Sequence, residues 1–290
     1  MNPLRARVFQ ENDLNLSDHL ALGKERMAVM LLTINGAQVY YEQHGTAGEN
    51  VLLLHGWGCD TTFFAPITQT LSETMKVTVL DFPGHGKSSR PPEPWGVPEY
   101  GEMVRELMDT LKIAPCFIIG HSFGGRVAIY LGSHWPQHVR RMILTGAAGL
   151  KKPPTEEQTR RAKRYQAMKA GFSILKRMRI FGDLPDKASE GLRKRYGSKD
   201  YNALDEEMRK TFVKIVTQDL QPLLPLISSS TLLVWGDQDT ETPLWMGQTM
   251  AKEIPDAGLA VFEGGSHFAY LEQWKRFVRV AQHFFEGVSS

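Results

Sequence analysis

The chain has 290 residues, 42% of them hydrophobic, and a formal net charge of only +2. A chain of this length and composition can bury a large core in one or two domains. Its weak charge gives no support to a nucleic-acid partner, and no apolar run approaches the ~20 residues that span a bilayer. We therefore expect a globular protein without an integral membrane segment.

Residues 1–29 form a polar leader that lacks the apolar centre of a signal peptide, and we expect it to lie outside the core, loosely docked or disordered. Neither of the two cysteines, Cys59 and Cys116, has a Cys or His partner at metal-ligand spacing. Their scarcity favours a reduced, cytoplasmic protein. Cys116 is interpreted as a small buried hydrophobic residue, whereas Cys59 leaves a reactive thiol open.

The predicted elements alternate along the chain. Two β-rich runs around Asn35-Gly36 predict a hairpin. Apolar runs typical of buried parallel strands follow at VLLLHG (51–56), KVTVLD (76–81), CFIIG (116–120), VRRMILTG (139–146), TLLVWG (231–236) and GLAVFEG (258–264). Helical patterns lie at 98–112, directly after CFIIG, at 243–254 and at 270–285. The alternation predicts an α/β fold with a mostly parallel central sheet flanked by helices on both faces.

Residues 151–222 interrupt this alternation and show no strand pattern. Apolar residues at helical spacing predict one amphipathic helix: Ala162, Tyr165, Met168, Phe172, Leu175 and Met178. A second helical stretch covers 202–216. We expect a helical cap here, inserted between the two parts of a core at 30–150 and 223–290. The insertion carries 18 Lys and Arg against 10 Asp and Glu. These basic residues either face water or attract anionic substrates or lipid head groups.

A serine flanked by glycines follows the CFIIG strand in the stretch GHSFGG. A strand that ends in G-x-S-x-G and passes directly into a helix forms a sharp elbow, which presents the serine side chain above the sheet. Gly120 and Gly124 would remove the Cβ atoms that otherwise collide in such a turn. The pattern therefore predicts Ser122 as a nucleophile, with the N–H of Phe123 as one donor to a developing oxyanion.

A serine nucleophile needs a histidine base oriented by an acid, and in this architecture the chain order is Ser, then Asp or Glu, then His. Asp237 and Asp239 follow the TLLVWG strand, and His267 follows the GLAVFEG strand. Both positions lie at the carboxyl ends of strands, where open α/β sheets bind their ligands. The residues alone favour His267 as the base and leave two candidates for the acid.

Taken together, these motifs resemble the α/β-hydrolase superfamily over residues ~30 to 286. The resemblance rests on HGWG (55–58), DFPGHGKS (81–88), GHSFGG (120–125), WGDQDTETP (235–243) and GGSHF (264–268). It implies Asp239 as the acid, with Asp237 in a supporting or turn position. It also implies Trp57 as the second oxyanion donor and a cap after the sixth strand. Some members carry the acid after the preceding strand, but TGAAGL (145–150) holds no carboxylate.

Other histidines compete with His267 for the role of base. His55, His85 and His121 precede the acid in the chain, and the resemblance implies that His55 and His121 support backbone turns. His283 lies in the last helical pattern and is interpreted as packed or solvated. HGKS (85–88) resembles the end of a phosphate-binding loop, but Asp81 stands where that motif needs glycine. Asp81 is instead expected to anchor its own loop.

The resemblance implies a serine hydrolase that acts through an acyl-enzyme without metal or organic cofactor. Carboxylic esters are the commonest substrates for this set of motifs. Apolar side chains near the site or in the cap suggest small to medium apolar acyl groups: Trp57, Phe123, Trp245, Met168, Phe172 and Met178. Two alternatives remain, a C–C bond hydrolase with the same triad and a non-catalytic ligand-binding member. The expected partner is a small-molecule ester, and the oligomeric state stays open.

Overall fold

In the computed structural model of the chain, residues 28–151, 160, 163–164, 167–168, 201 and 204–286 are described. The chain divides into two compact units. One comprises Met1–Leu150 and Asp219–Ser290, and the other comprises Lys151–Gln218.

An eight-stranded mixed sheet runs through the first unit. Its strands are β1 (Ala28–Ile34), β2 (Ala37–His44), β3 (Asn50–Leu54), β4 (Lys76–Leu80), β5 (Cys116–His121), β6 (Val139–Thr145), β7 (Ser230–Gly236) and β8 (Ala257–Phe262). They are ordered β1-β2-β4-β3-β5-β6-β7-β8 across the sheet. The β1–β2 and β2–β4 pairs are antiparallel, and all other pairs are parallel. The predicted mostly parallel sheet is confirmed.

The described helices are α1 (Ala65–Leu71), α2 (Val97–Thr110), α3 (Phe123–His134), α4 (Glu206–Thr217), α5 (Leu244–Glu253), α6 (Ala269–Glu272) and α7 (Trp274–Glu286). Short 3₁₀ turns at Thr61–Phe64, Pro136–His138 and Gln221–Leu226 join some of these elements. No helix within the described ranges is both long enough and apolar enough to cross a membrane.

The central strands form the core because both of their faces are covered. Every residue of β5 is buried, and so are the last four residues of β3 and of β4. Parallel strands covered by helices on both faces read as continuous apolar runs rather than as alternating ones. On one face of the sheet, Phe117 stacks on Phe285 of α7 with ring centroids 4.3 Å apart. Because β3 to β8 run in the same direction, their carboxyl ends meet at one shared edge of the sheet, where the predicted site residues lie.

Two elements differ from the sequence-based expectation. Helix α1 was not predicted, because its buried residues Ile67, Thr68 and Leu71 span too few positions to show a helical period. The last helical pattern forms α6 and α7 instead of one helix. Gln273 separates them with φ −113° and ψ 39°, and its side-chain amide donates to Glu263 O at 3.0 Å.

The insertion lies after β6, the sixth strand, as expected. The second predicted helical stretch is observed as α4, which is capped by the Asp205 side chain accepting from the N–H of Glu207 and Met208. Most of the first predicted helix lies outside the described residues, and so does most of the leader. Strand β1 begins at Ala28, two residues before the predicted start of the core. The domain limits stay a prediction.

Asp81 anchors its loop as predicted. Its Oδ1 accepts from Thr61 N–H at 2.7 Å, and its Oδ2 accepts from Lys87 N–H at 2.7 Å. Burial raises the pKa of this carboxyl, although the two N–H donors and the Lys87 charge oppose that effect. Gly86 lies against the carboxylate with φ +51°, and a Cβ atom there would come within 2.1 Å of Asp81 Oδ2.

We expect the Gly86→Ala substitution to lower the free energy of unfolding by roughly 2–5 kcal/mol, the sum of positive-φ strain and a clash with a fixed carboxylate. Gly264→Ala is the matched control, because Gly264 has φ +70° but an added Cβ atom would meet nothing within 4 Å. Gly264→Ala should lower the free energy of unfolding only by the backbone strain, about 1–2 kcal/mol. Urea unfolding of both variants measures the difference. Equal losses would contradict the clash at Asp81.

Candidate active site

Ser122 lies in a strained turn between β5 and α3. Its backbone has φ 50° and ψ −105°, a conformation that L-residues rarely adopt. The turn is held by backbone hydrogen bonds on both sides: Ser122 N–H donates to Thr145 O at 3.2 Å, and Ala148 N–H donates to Ser122 O at 3.1 Å. Strain maintained in this way is typical of functional positions.

The chain segments around Ser122 approach each other too closely for side chains. Gly124 N–H donates to His55 O at 3.0 Å, and a Cβ atom on Gly124 would lie 2.0 Å from Leu54 O. A Cβ atom on Gly120 would lie 2.7 Å from Gly124 O. Both glycines are therefore required by close contact, as the sequence pattern predicts. The turn that carries Ser122 is pressed against the end of β3.

Asp239 and His267 are brought together from the ends of β7 and β8. His267 Nδ1 lies 2.9 Å from Asp239 Oδ2, and Asp239 is 5% exposed. The other carboxylate oxygen, Oδ1, accepts from the N–H groups of Glu241 and Thr242, both at 2.9 Å. Burial alone would raise the pKa of Asp239, but the hydrogen bonds and charge of His267, together with Thr242, lower it overall. The carboxylate is thus ionised at neutral pH.

Asp237, the rival acid, has a different environment. Its side chain is exposed, and its Oδ1 accepts from Gly264 N–H at 2.8 Å. This bond links the loop after β7 to the loop that carries His267. Asp237 therefore fastens a loop, whereas Asp239 contacts the imidazole.

Ser122 lies next to His121, which contacts His267 directly. His121 Nε2 lies 3.0 Å from His267 O, and the two imidazole centroids are 4.8 Å apart. Within the described residues, Ser122 Oγ makes no hydrogen bond to His267. Hydrogen bonds between a nucleophile and its base are often long in ligand-free proteins and tighten when substrate binds. The structure brings all three predicted residues to one sheet edge and joins two of them.

The rival histidines His55, His85 and His121 are buried. His55 Nδ1 lies 2.7 Å from Gly56 O, while its Nε2 accepts from Phe82 N–H at 2.9 Å. Burial, reinforced by the neighbouring His85, lowers the pKa of His55 to about 3, and burial lowers the pKa of His85 to about 4. Burial and the neighbouring His267 lower the pKa of His121 as well. All three rings are therefore neutral at physiological pH. His283 is exposed on α7.

Trp57 and Phe123, the predicted oxyanion donors, are neighbours. Their rings meet edge to face with centroids 5.6 Å apart. Phe123 is the first residue of α3, so its N–H has no acceptor within the helix. Trp57 occupies a turn closed by Cys59 N–H donating to Gly56 O at 3.1 Å.

The remaining predicted pocket residues are less informative. Trp245 is 36% exposed, Met168 is half-buried, and Phe172 and Met178 lie outside the described residues. Cys59 and Cys116 are both buried, and burial raises the pKa of the Cys116 thiol to about 12. In the described part of the chain, no group of three or more His, Cys, Asp or Glu side chains is placed to hold a metal ion.

Sequence reasoning missed several residues that hold this edge together. Thr242 places its hydroxyl oxygen within 2.8 Å of Asp239 Oδ2 and 3.2 Å of His267 Nδ1. The loop that carries His267 is fastened by Glu272, which accepts from the N–H and hydroxyl of Ser266. The WGDQDTETP motif contains Thr242, but a hydroxyl three residues after the acid gives no signal until the loops are folded.

The family model described as alpha/beta hydrolase fold matches residues 49–273. Among curated proteins, the pimeloyl-[acyl-carrier protein] methyl ester esterase of Neisseria meningitidis is 28% identical over 261 residues, covering 83% of this chain and 95% of that protein. The 2-hydroxy-6-oxononadienedioate/2-hydroxy-6-oxononatrienedioate hydrolase of Escherichia coli is 26% identical over 267 residues, covering 85% and 90%. Distant relatives thus differ in the bond that they cleave.

Solved structures agree in fold. A hydrolase from Pseudomonas aeruginosa superposes with a TM-score of 0.69 at 25% identity, covering 89% of this chain and 98% of the other. The fold is therefore one that a solved hydrolase shares over nearly its whole length.

We expect Asp239→Asn to lower turnover of the predicted ester substrate by roughly 10³–10⁴-fold, because an amide cannot hold the imidazole in its tautomer or stabilise its cation. Asp237→Asn is the matched control, since the same change two residues away leaves an acceptor for Gly264 N–H. It should change turnover by no more than about twofold. Steady-state kinetics on one aryl ester compares them. The reverse ranking would assign the acid to Asp237.

Proposed function

The chain belongs to the α/β-hydrolase superfamily, and we propose that it is a serine hydrolase that cleaves carboxylic esters of small to medium apolar acyl groups. The proposal assigns Ser122 as nucleophile, His267 as base, Asp239 as acid, and the N–H groups of Trp57 and Phe123 as the oxyanion hole. It requires no metal and no organic cofactor, and it places the protein in the reducing cytoplasm.

One observation carries the proposal: a buried, ionised carboxylate and an imidazole are hydrogen-bonded at the same sheet edge as a serine in a strained elbow. The 2.9 Å bond from His267 Nδ1 to Asp239 Oδ2 fixes the ring tautomer. With the proton on Nδ1, Nε2 has a lone pair that can accept a proton. The serine has φ 50° and directly precedes α3, which is the geometry of a nucleophile elbow.

The reaction follows from these groups. His267 Nε2 takes the proton of Ser122 Oγ as the oxygen attacks the ester carbonyl carbon. Asp239 stabilises the imidazolium that forms, and the two N–H groups stabilise the oxyanion. The imidazolium then gives its proton to the leaving alcohol, and an acyl-enzyme remains. Water, deprotonated by His267, attacks the acyl carbonyl carbon. The bond from that carbon to Ser122 Oγ then breaks, the carboxylic acid product leaves, and the imidazolium returns its proton to Ser122 Oγ.

The choice of esters is supported by the relative from N. meningitidis, whose name describes a methyl ester esterase. It is supported further by aromatic surroundings: Trp57 contacts both His85 and Phe123 edge to face. Apolar pocket walls with few polar groups suit an apolar acyl group. The E. coli relative favours a second candidate, hydrolysis of a C–C bond in a vinylogous diketone, which uses the same triad. The residues after His55-Gly56, W-G-C-D, are less polar than such enzymes commonly carry there, which weakens this candidate.

We expect the wild-type protein to hydrolyse aryl esters of short and medium apolar acyl chains, and Ser122→Ala to lose on the order of 10⁴-fold or more in turnover. Ser133→Ala on α3 is the matched control, because the same change falls on a serine that bonds only its own helix and a neighbouring ring. It should retain wild-type rates. A colorimetric panel of esters that differ in acyl length measures all three proteins.

Three results would contradict the proposal. Equal activity of Ser122→Ala and wild type would remove Ser122 as nucleophile. Turnover of vinylogous diketones with inert esters would transfer the assignment to C–C bond cleavage. If the protein binds esters but neither hydrolyses them nor is labelled by a fluorophosphonate, the ligand-binding alternative would be favoured.

A further inference from the structure

The hydroxyl of Thr242 lies where the ends of three neighbouring strands meet. Thr242 Oγ1 is 2.8 Å from Asp239 Oδ2, 2.9 Å from Gly146 O and 3.2 Å from His267 Nδ1. Asp239 follows β7, His267 follows β8 and Gly146 follows β6. Thr242 itself is only 6% exposed. A single hydroxyl therefore contacts the proposed acid, the proposed base and the strand end beside Ser122.

The position of this hydroxyl is fixed by the backbone of Thr242. Its N–H donates to Asp239 Oδ1 at 2.9 Å, and its carbonyl accepts from Trp235 Nε1 at 2.6 Å. Trp235 is fully buried in β7. The threonine is thereby held between a rigid core side chain and the carboxylate, so its hydroxyl cannot leave the site by a simple loop movement.

The hydrogen-bond count at this hydroxyl favours donation to the acid. A threonine hydroxyl has one proton, and two acceptors lie within reach: the ionised Asp239 Oδ2 and the neutral Gly146 O. Hydrogen bonds to an ionised acceptor are roughly twice as strong as bonds between neutral groups. When the hydroxyl proton of Thr242 points at Asp239 Oδ2, that ionised oxygen accepts two hydrogen bonds, one from the hydroxyl and one from His267 Nδ1–H. The carboxylate then accepts two hydrogen bonds on each of its oxygens.

We propose that Thr242 is a positioning residue for this reaction: its hydroxyl holds Asp239 Oδ2, the oxygen that bonds His267, and so keeps the imidazole aligned with Ser122. The inference rests on the proposed serine-hydrolase function. During catalysis the imidazole gains and loses a proton at Nε2. Its Nδ1–H group stays hydrogen-bonded to the Asp239 carboxylate throughout. Without the hydroxyl, Oδ1 keeps its two backbone N–H donors, but Oδ2, the oxygen that bonds the imidazole, is held by His267 alone.

The test separates the hydroxyl of Thr242 from its methyl group. Thr242→Val keeps the shape and removes the hydroxyl, whereas Thr242→Ser keeps the hydroxyl and removes the methyl. Thr242→Ala, compared with Thr242→Ser, isolates the hydroxyl again if the valine variant does not fold. For each folded variant we would measure kcat and KM on one aryl ester and the rate constant of inactivation by a fluorophosphonate.

We expect Thr242→Val to lower kcat and the inactivation rate constant by roughly tenfold, the loss of one hydrogen bond to a charged group, with KM unchanged. Thr242→Ser should stay within about twofold of wild type, and Thr242→Ala should be as slow as Thr242→Val. A slow serine variant, a wild-type-like valine variant, or a rise in KM alone would overturn the inference. Failure of the wild-type protein to react with the fluorophosphonate would instead overturn the proposed function itself.

Discussion

The contact between the turn after β5 and the end of β3 is the constraint on which the site depends. Gly124 N–H bonds to His55 O, and this contact leaves no room for a Cβ atom on Gly124, while the tightness of the turn itself leaves none on Gly120. The contact holds Ser122 at a positive φ and starts α3 directly behind it. The same contact sets His55 beside the elbow, and His55 in turn ties its strand end to the loop of Phe82. A larger residue at either glycine would therefore displace the serine, the turn of Trp57 and the start of α3 together.

Burial gives the neighbouring polar groups distinct roles. Desolvation keeps His55, His85 and His121 neutral, so that they act as hydrogen-bonding supports for backbone rather than as proton carriers. Asp239 is also buried, but it has enough donors to remain charged beside His267. A charge that is retained in a buried position is effective because surrounding water does not screen it. The loop that carries His267 is fastened by Asp237, Glu272 and His121 as well as by the bond from His267 to Asp239.

The sequence was sufficient for features that a local pattern encodes. The apolar runs located the strands, and the glycines around Ser122 indicated a close approach that the structure contains. Chain order then placed Asp239 and His267 at neighbouring strand ends. Features that depend on distances between remote atoms were not accessible: nothing in WGDQDTETP indicates that the Thr242 hydroxyl reaches Gly146, 96 residues earlier in the chain. Helix α1 was missed because seven residues are too few to show a period.

The most direct test of the account is a crystal structure of the protein after reaction with a fluorophosphonate. The account predicts phosphorus bonded to Ser122 Oγ and the phosphonyl oxygen within hydrogen-bonding distance of the N–H groups of Trp57 and Phe123. It also predicts His267 Nε2 at about 3 Å from Ser122 Oγ, with the bond from Nδ1 to Asp239 intact. Phosphorus on another residue, or an imidazole that stays out of reach of the labelled serine, would contradict it.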